Sequence, residues 1–308
     1  MTDLSLTLAI EDYDHTRALF TGEVKPKGIE LTCLQLQVEE TFFRFANAYE
    51  WEISELSLAK FCSLRSMEEP PIVGIPVFIS RMFRHSAFYV RDGGSVISPK
   101  DLKGCRIGIP EWTQTATVYA RGWLHNDVGV RLDEIEWVQG GVNQPGRLEM
   151  GKINVPKGIN ITPVLDRSLS DMLLDDQLDA IISARPPDAF LSGNGRMQRL
   201  MPNFREIELD YFHRTGVYPI MHTIAIKRDA YERNPWIAAN LIDMGEIEKV
   251  IVIAPRSEVV DQWAVEFKQV TGKEMIRITG SDTKPNEFDS NLCSTWSAIS
   301  GLLEAYQI

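Results

Sequence analysis

The chain has 308 residues, 44% hydrophobic and 24% charged, which is long enough for two core-forming lobes and excludes a disordered or fibrous protein. Its formal net charge of -11 repels phosphate backbones and anionic bilayers, so neither nucleic acid nor a membrane is an expected partner, whereas a small anion needs only a local group of arginines. There is no basic, apolar leader and no apolar run of about 20 residues, and Cys33, Cys62, Cys105 and Cys293 form neither a C-x-x-C pair nor a metal-ligand spacing with histidine; reduced thiols, no metal and the cytoplasm are expected.

In chain order, alternation predicts strands at 4–10 and 29–36, with a short helix at 16–20 between them and helical spacing over 40–49 after them. Segments 52–59, 72–78 and 86–91 read as short strands of a buried, largely parallel sheet, closed by the Gly93-Gly94 turn. Residues 1–91 thus form a first lobe. A second lobe, 92–215, opens with a turn, one helical turn and a strand over 98–110. It continues with a helix from 111 to about 126, a strand at 134–138, a helix at 165–174 and a strand at 178–183, with Arg185, Pro186, Pro187 and Asp188 at its mouth. The strand 218–226 belongs to a return segment, 216–240, that leads back to the first lobe.

The phrase DLKG-x-RIGIP ending at Pro110, the Thr-rich helix start after it and LDAIISARPPDAF from Leu178 resemble the type 2 periplasmic-binding-protein fold. That resemblance implies an α/β protein of two lobes joined by two crossing segments around a cleft, with helix N-termini and the carboxyl ends of strands facing the ligand. Four further stretches, IEDYDHTR at 10–17, RMFRHSAFYV at 81–90, GVYPIMH at 216–222 and RDAYERNPW at 228–236, resemble the 4,5-dihydroxyphthalate decarboxylase family over about residues 1–240. The family implies a cytoplasmic carboxy-lyase of aromatic catabolism that turns 4,5-dihydroxyphthalate, or a related aromatic dicarboxylate, into protocatechuate with no metal or redox cofactor. Self-association into a homo-oligomer stays open. The alternative is a solute-binding protein that delivers a small organic anion to an ABC transporter, and the missing leader counts against it.

From about Leu241 the text changes. KVIVIAP at 249–255, VDQW at 260–263 and CSTWSAI at 293–299 are similar to segments of phage-type DEAD/DEAH-box helicases. Neither the G-x-x-x-x-G-K-[ST] loop nor an acidic magnesium box is present, so residues 241–308 are expected to be an atypical tail without helicase activity, either a fused, truncated or misassembled reading frame or a genuine extra module.

Losing CO2 from a ring carbon leaves an aryl carbanion unless that carbon is protonated first, and a hydroxyl para to the departing carboxylate helps by supplying electrons. Such chemistry needs a proton donor, an acceptor for the phenols and clamps for carboxylates. His85 and His222, which lie in the family-like stretches, lead the candidates for proton transfer, followed by His15; each could instead be a structural histidine. Arg185, Arg81, Arg84 and Arg17 are candidate clamps, and solvated ion pairs are their other fate. Thr113 and Thr115 offer hydroxyl and amide donors at a helix start, or plain N-caps. Trp112, Phe83 and Tyr218 could stack on an aromatic ring or pack in a core, and Ser57 is a lesser binding candidate. Glu11, Asp12 and Asp14 could accept from catechol hydroxyls, orient His15 or complement a helix dipole.

Overall fold

In Leu4–Ile10 (β1) the alternation of the sequence sends Leu6, Leu8 and Ile10 into one apolar core and Ala9 into another, so the strand is covered on both faces. The computed structural model describes residues 3–149, 155–193 and 195–243, together with the strand segments 251–254, 275–278 and 291–295. After β1 come Arg17–Thr21 (α1), Ile29–Gln35 (β2), Val38–Ala48 (α2), Ile53–Ser57 (β3), Leu58–Arg65 (α3) and Ile72–Arg81 (β4). They form a sheet in the order β2-β1-β3-β11-β4, where β11 is Ile220–Lys227. β1 is parallel to both β2 and β3, and β11 runs antiparallel to β3.

The second sheet is built from Phe88–Arg91 (β5), Arg106–Ile109 (β6), Glu136–Gln139 (β7), Ile161–Pro163 (β8), Ala180–Ile182 (β9) and Met197–Arg199 (β10), in the order β10-β5-β9-β6-β7-β8. Thr115–Trp123 (α4), Leu169–Leu174 (α5), Asp188–Leu191 (α6) and Phe204–Thr215 (α7) accompany it. β6 is parallel to β7 and β9, while β5 is antiparallel to β9 and β10. Its main core gathers Phe88, Leu102, Ile107, Ile109, Trp112, Leu124 and Trp137.

The chain therefore divides into two α/β units, 1–80 with 222–308 and 81–221, and crosses between them twice. This is the organisation implied by the resemblance to type 2 periplasmic-binding proteins. The first crossing falls at Ser80–Arg81, not at residue 91: β5 pairs with β9 and β10, so the segment read as the last strand of lobe 1 belongs to the second sheet. The return crossing falls at Met221–His222 instead of at 215–216, because 204–215 forms α7 within the second unit. α4 starts at Thr115 and not at 111, because Glu111–Gln114 make a turn at the carboxyl end of β6.

Beyond β11 the chain forms Arg228–Arg233 (α8) and Trp236–Asp243 (α9), then Ile251–Ala254 (β12), Met275–Ile278 (β13) and Asn291–Thr295 (β14). The last three make a parallel sheet of their own, in the order β12-β14-β13. The KVIVIAP phrase thus contains a strand, whereas VDQW and the end of CSTWSAI lie outside the described residues. Among the described residues no helix is long and apolar enough to cross a membrane.

Candidate active site

The first unit collects a polar cluster where β1 and β3 end. Glu55, near the end of β3, is completely buried, an arrangement that costs several kcal/mol unless its lone pairs are filled. They are filled: the Glu11 amide donates to Oε2 at 3.0 Å, the Tyr13 hydroxyl donates to Oε1 at 2.6 Å, and His222 Nδ1 lies 2.6 Å from Oε1. The Tyr13 hydroxyl is also 3.4 Å from His222 Nδ1. A carboxylate against Nδ1 keeps the proton on that nitrogen and fixes the ring, which leaves Nε2 as the nitrogen that can give or take a proton.

Local pairing explains why these groups meet. β11 runs antiparallel to β3 with His222 opposite Ser57, and two-residue alternation puts Glu55 on the same face as Ser57. Phe42 of α2 meets the His222 ring edge-on at 4.9 Å, and the imidazole keeps 15% of its surface exposed. His15 lies beside the cluster, stacked on Tyr13 at 5.2 Å with Nε2 donating to the Ile79 carbonyl at 3.0 Å. A cavity of about 580 Å³ touches His15, but its other walls include Leu8, Ile10, Ile53, Ile75 and Ile224, which are core aliphatics of the sheet. Arg17 points to solvent and pairs with Asp12 at 3.3 Å and Asp14 at 3.6 Å, so these three satisfy one another.

In the second unit the residues named from sequence gather where β6 and β9 end. The turn before α4 holds a carboxylate of the chain itself: the amides of Trp112 and Thr113 and the Thr113 hydroxyl all donate to Glu149, the Thr113 amide at 3.1 Å. Thr115 is buried as the first residue of α4. Trp112 is packed edge-on to Trp137 at 5.5 Å and lies under the Arg121 guanidinium, 3.4 Å from the ring centre. It is a core residue whose backbone, not its ring, presents a donor. Arg185, past β9, is exposed, and its carbonyl accepts the Ser183 hydroxyl at 2.6 Å.

His85 sits in an aromatic cage of Trp123 (4.9 Å), Tyr211 (5.2 Å) and Phe83 (6.3 Å), 4% exposed, with neither ring nitrogen hydrogen-bonded to a described residue. Burial pulls its pKa down to about 4, so the ring is neutral at pH 7; Asp127 opposes that shift and Arg214 adds to it. A pocket of about 20 Å³ beside it has room for about one water molecule. Arg84, next in the chain, donates to the Ala184 carbonyl at 3.2 Å and lies against Met221 Sδ at 3.1 Å; burial draws its pKa down to about 10. Arg81 is exposed at the end of β4, and its carbonyl accepts the Tyr218 hydroxyl at 3.2 Å. Tyr218 leans on Phe83 with ring centres 5.0 Å apart.

Sequence reasoning passed over Glu55, Tyr13, Glu149 and Arg121. Glu55 had a usable signal: a carboxylate two residues after Ile53, on the core-facing side of a strand, is seldom placed there without partners. Glu149 had none, because a loop carboxylate looks like any solvated one until the loop is folded back.

Comparison with known proteins adds relatives that share much of this chain. A 4,5-dihydroxyphthalate decarboxylase of Comamonas testosteroni is 33% identical over 259 residues, which cover 84% of this chain and 78% of that protein. Its counterpart in Pseudomonas putida is 35% identical over 201 residues, covering 65% and 78%. Among solved structures, the periplasmic aliphatic sulphonate binding protein SsuA of Escherichia coli aligns over 87% of this chain and 79% of its own, with a TM-score of 0.47 and 10% identity. No protein-family model matches the chain.

Proposed function

The chain belongs to the 4,5-dihydroxyphthalate decarboxylase family, and on that premise we propose that it removes one carboxylate of 4,5-dihydroxyphthalate, or of a close aromatic relative, to give protocatechuate. The observation that carries this reading is the Glu55–His222 pair, an imidazole braced by a buried carboxylate at the strand ends where α/β sheets bind ligands. Protonated at Nε2, His222 delivers a proton to the ring carbon while Glu55 stabilises the imidazolium, and the C–C bond electrons return to the ring as CO2 leaves. One proton enters and one CO2 departs, so the balance needs no oxidant. Ser57 and the Tyr13 hydroxyl are the neighbours suited to a phenolic oxygen.

The donors of Trp112 and Thr113 suit a carboxylate, since they already hold one. His15 and Arg185 are reserve candidates, exposed enough to meet a ligand. His85 is better suited to a packing role, because a neutral ring walled in by aromatics has no proton to give at pH 7. The cytoplasm and a place in phthalate degradation go with this reading.

The two carboxylates of 4,5-dihydroxyphthalate are equivalent by symmetry, so the product is the same whichever leaves. Incubation with this compound followed by chromatography should yield protocatechuate, and His222→Gln should slow turnover by about 10² or more with its fold intact. Tight binding of phthalates with no product in any condition would favour a solute-binding role.

A further inference from the structure

Glu149 lies on a strap that follows β7 and includes residues 141–149. The strap is fastened without it. The carbonyls of Gly141 and Val142 accept from the amides of Leu169 and Ser170 at the head of α5, at 2.8 and 3.0 Å. The Asn143 side chain accepts from the Asp188 amide at 3.0 Å. Arg147 donates to the buried Glu111 at 2.9 and 2.5 Å, and its own carbonyl accepts from Gln139 Nε2 at 2.9 Å.

The Glu149 carboxylate is held separately, by the amides of Trp112 and Thr113 and the Thr113 hydroxyl. Beside this site lies Arg121, only 7% exposed, donating from Nη1 to the Trp112 carbonyl at 2.6 Å, with Nε lacking an acceptor among the described residues. Burial draws its pKa down to about 9, and the negative charge of Glu149 opposes that fall. Two requirements therefore meet at one place. Three converging donors need an acceptor, and a buried arginine needs an anion near it. Any carboxylate meets both requirements.

We propose that Glu149 is an internal stand-in for the substrate's carboxylate: it occupies the Trp112–Thr113 site in the unliganded protein, and its side chain must swing out before an exogenous aromatic carboxylate can bind. The strap stays fastened through Arg147 and Asn143, so the exchange costs one rotamer change and no unfolding. Glu149 then competes with every ligand of the site, and apparent affinity falls in proportion to the time it spends bound.

The inference rests on the carboxylate-site reading above, and its test does not depend on turnover. Titrating the full-length protein with benzoate by calorimetry, Glu149→Ala should bind about tenfold more tightly than the parent if Glu149 occupies the site about nine-tenths of the time. Adding Thr113→Val to that variant should abolish the gain, and neutral benzamide should show none. Benzoate should also raise the melting temperature of Glu149→Ala by more than that of the parent, because it restores an anion beside Arg121. If Glu149→Ala does not fold, Glu149→Gln, which keeps an acceptor and removes the charge, carries the test with a smaller gain. Unchanged or weaker benzoate binding in the folded variant overturns the proposal. Tighter binding with no decarboxylation would sink the enzymatic reading alone, and decarboxylation with no gain would sink this inference alone.

Discussion

The ring of His222 has a buried carboxylate against one nitrogen, while the ring of His85 has aromatic walls and no hydrogen bond to a described residue at either. The two histidines looked alike in sequence, each lying in a family-like stretch, because nothing in a one-dimensional text shows which will be braced and which enclosed. The enclosure of His85 should show in its own titration. His85 in the folded protein takes up its proton at about 4, below the 6.5 of an unfolded histidine. As pH falls through 6.5 the unfolded chain gains a proton that the folded chain refuses. The stability His85 contributes is therefore complete above 6.5 and is lost as pH falls toward 4. Between pH 7 and pH 5 this amounts to roughly 2 kcal/mol. Urea unfolding of His85→Phe should show a flatter pH dependence in that window than the parent, and an unchanged slope would mean that the ring is hydrated in the native state.

At the scale of elements, the strands were legible where alternation or apolar runs dominate: β1, β2, β9 and β11 lie within two residues of where the sequence placed them. α7 was not, because Phe204 and Ile207 pack on the core while Leu209 and Phe212 remain exposed, so its apolar residues do not mark a single face. The polar end of the first sheet was half legible. His222 and Ser57 could be named, but their partner Glu55 joins them only through the β3–β11 register. The change of text near residue 241 coincides with the last helix before three strands that pair only among themselves among the described residues. The strap depends on a glycine: a Cβ at Gly141 would collide with the carbonyl oxygen of Gln144. Gly141→Ala should displace the strap and lower stability by about 1–3 kcal/mol, visible in thermal unfolding, with faster backbone hydrogen exchange over 141–149. Unaltered exchange there would show that the strap does not depend on this turn.

On the scale of the whole molecule, an acidic chain of two α/β units places donors for a carboxylate in one unit and a braced imidazole in the other. Bulk charge hides this, since a net -11 gives no hint that three hydrogen-bond donors hold a single carboxylate whose charge acts on the buried Arg121. A carboxylate ligand of the proposed kind would bind against the average field of the protein, through local donors that act over a few ångströms while salt screens the rest. The most direct measurement is turnover of 4,5-dihydroxyphthalate in D2O, following CO2 and the product by mass spectrometry in the parent and in His222→Gln. The expected result is one CO2 per protocatechuate, one deuterium at the vacated ring carbon, and a rate at least about 10² lower in the variant. No protocatechuate from the parent, or the same labelled product at the same rate from His222→Gln, would contradict it.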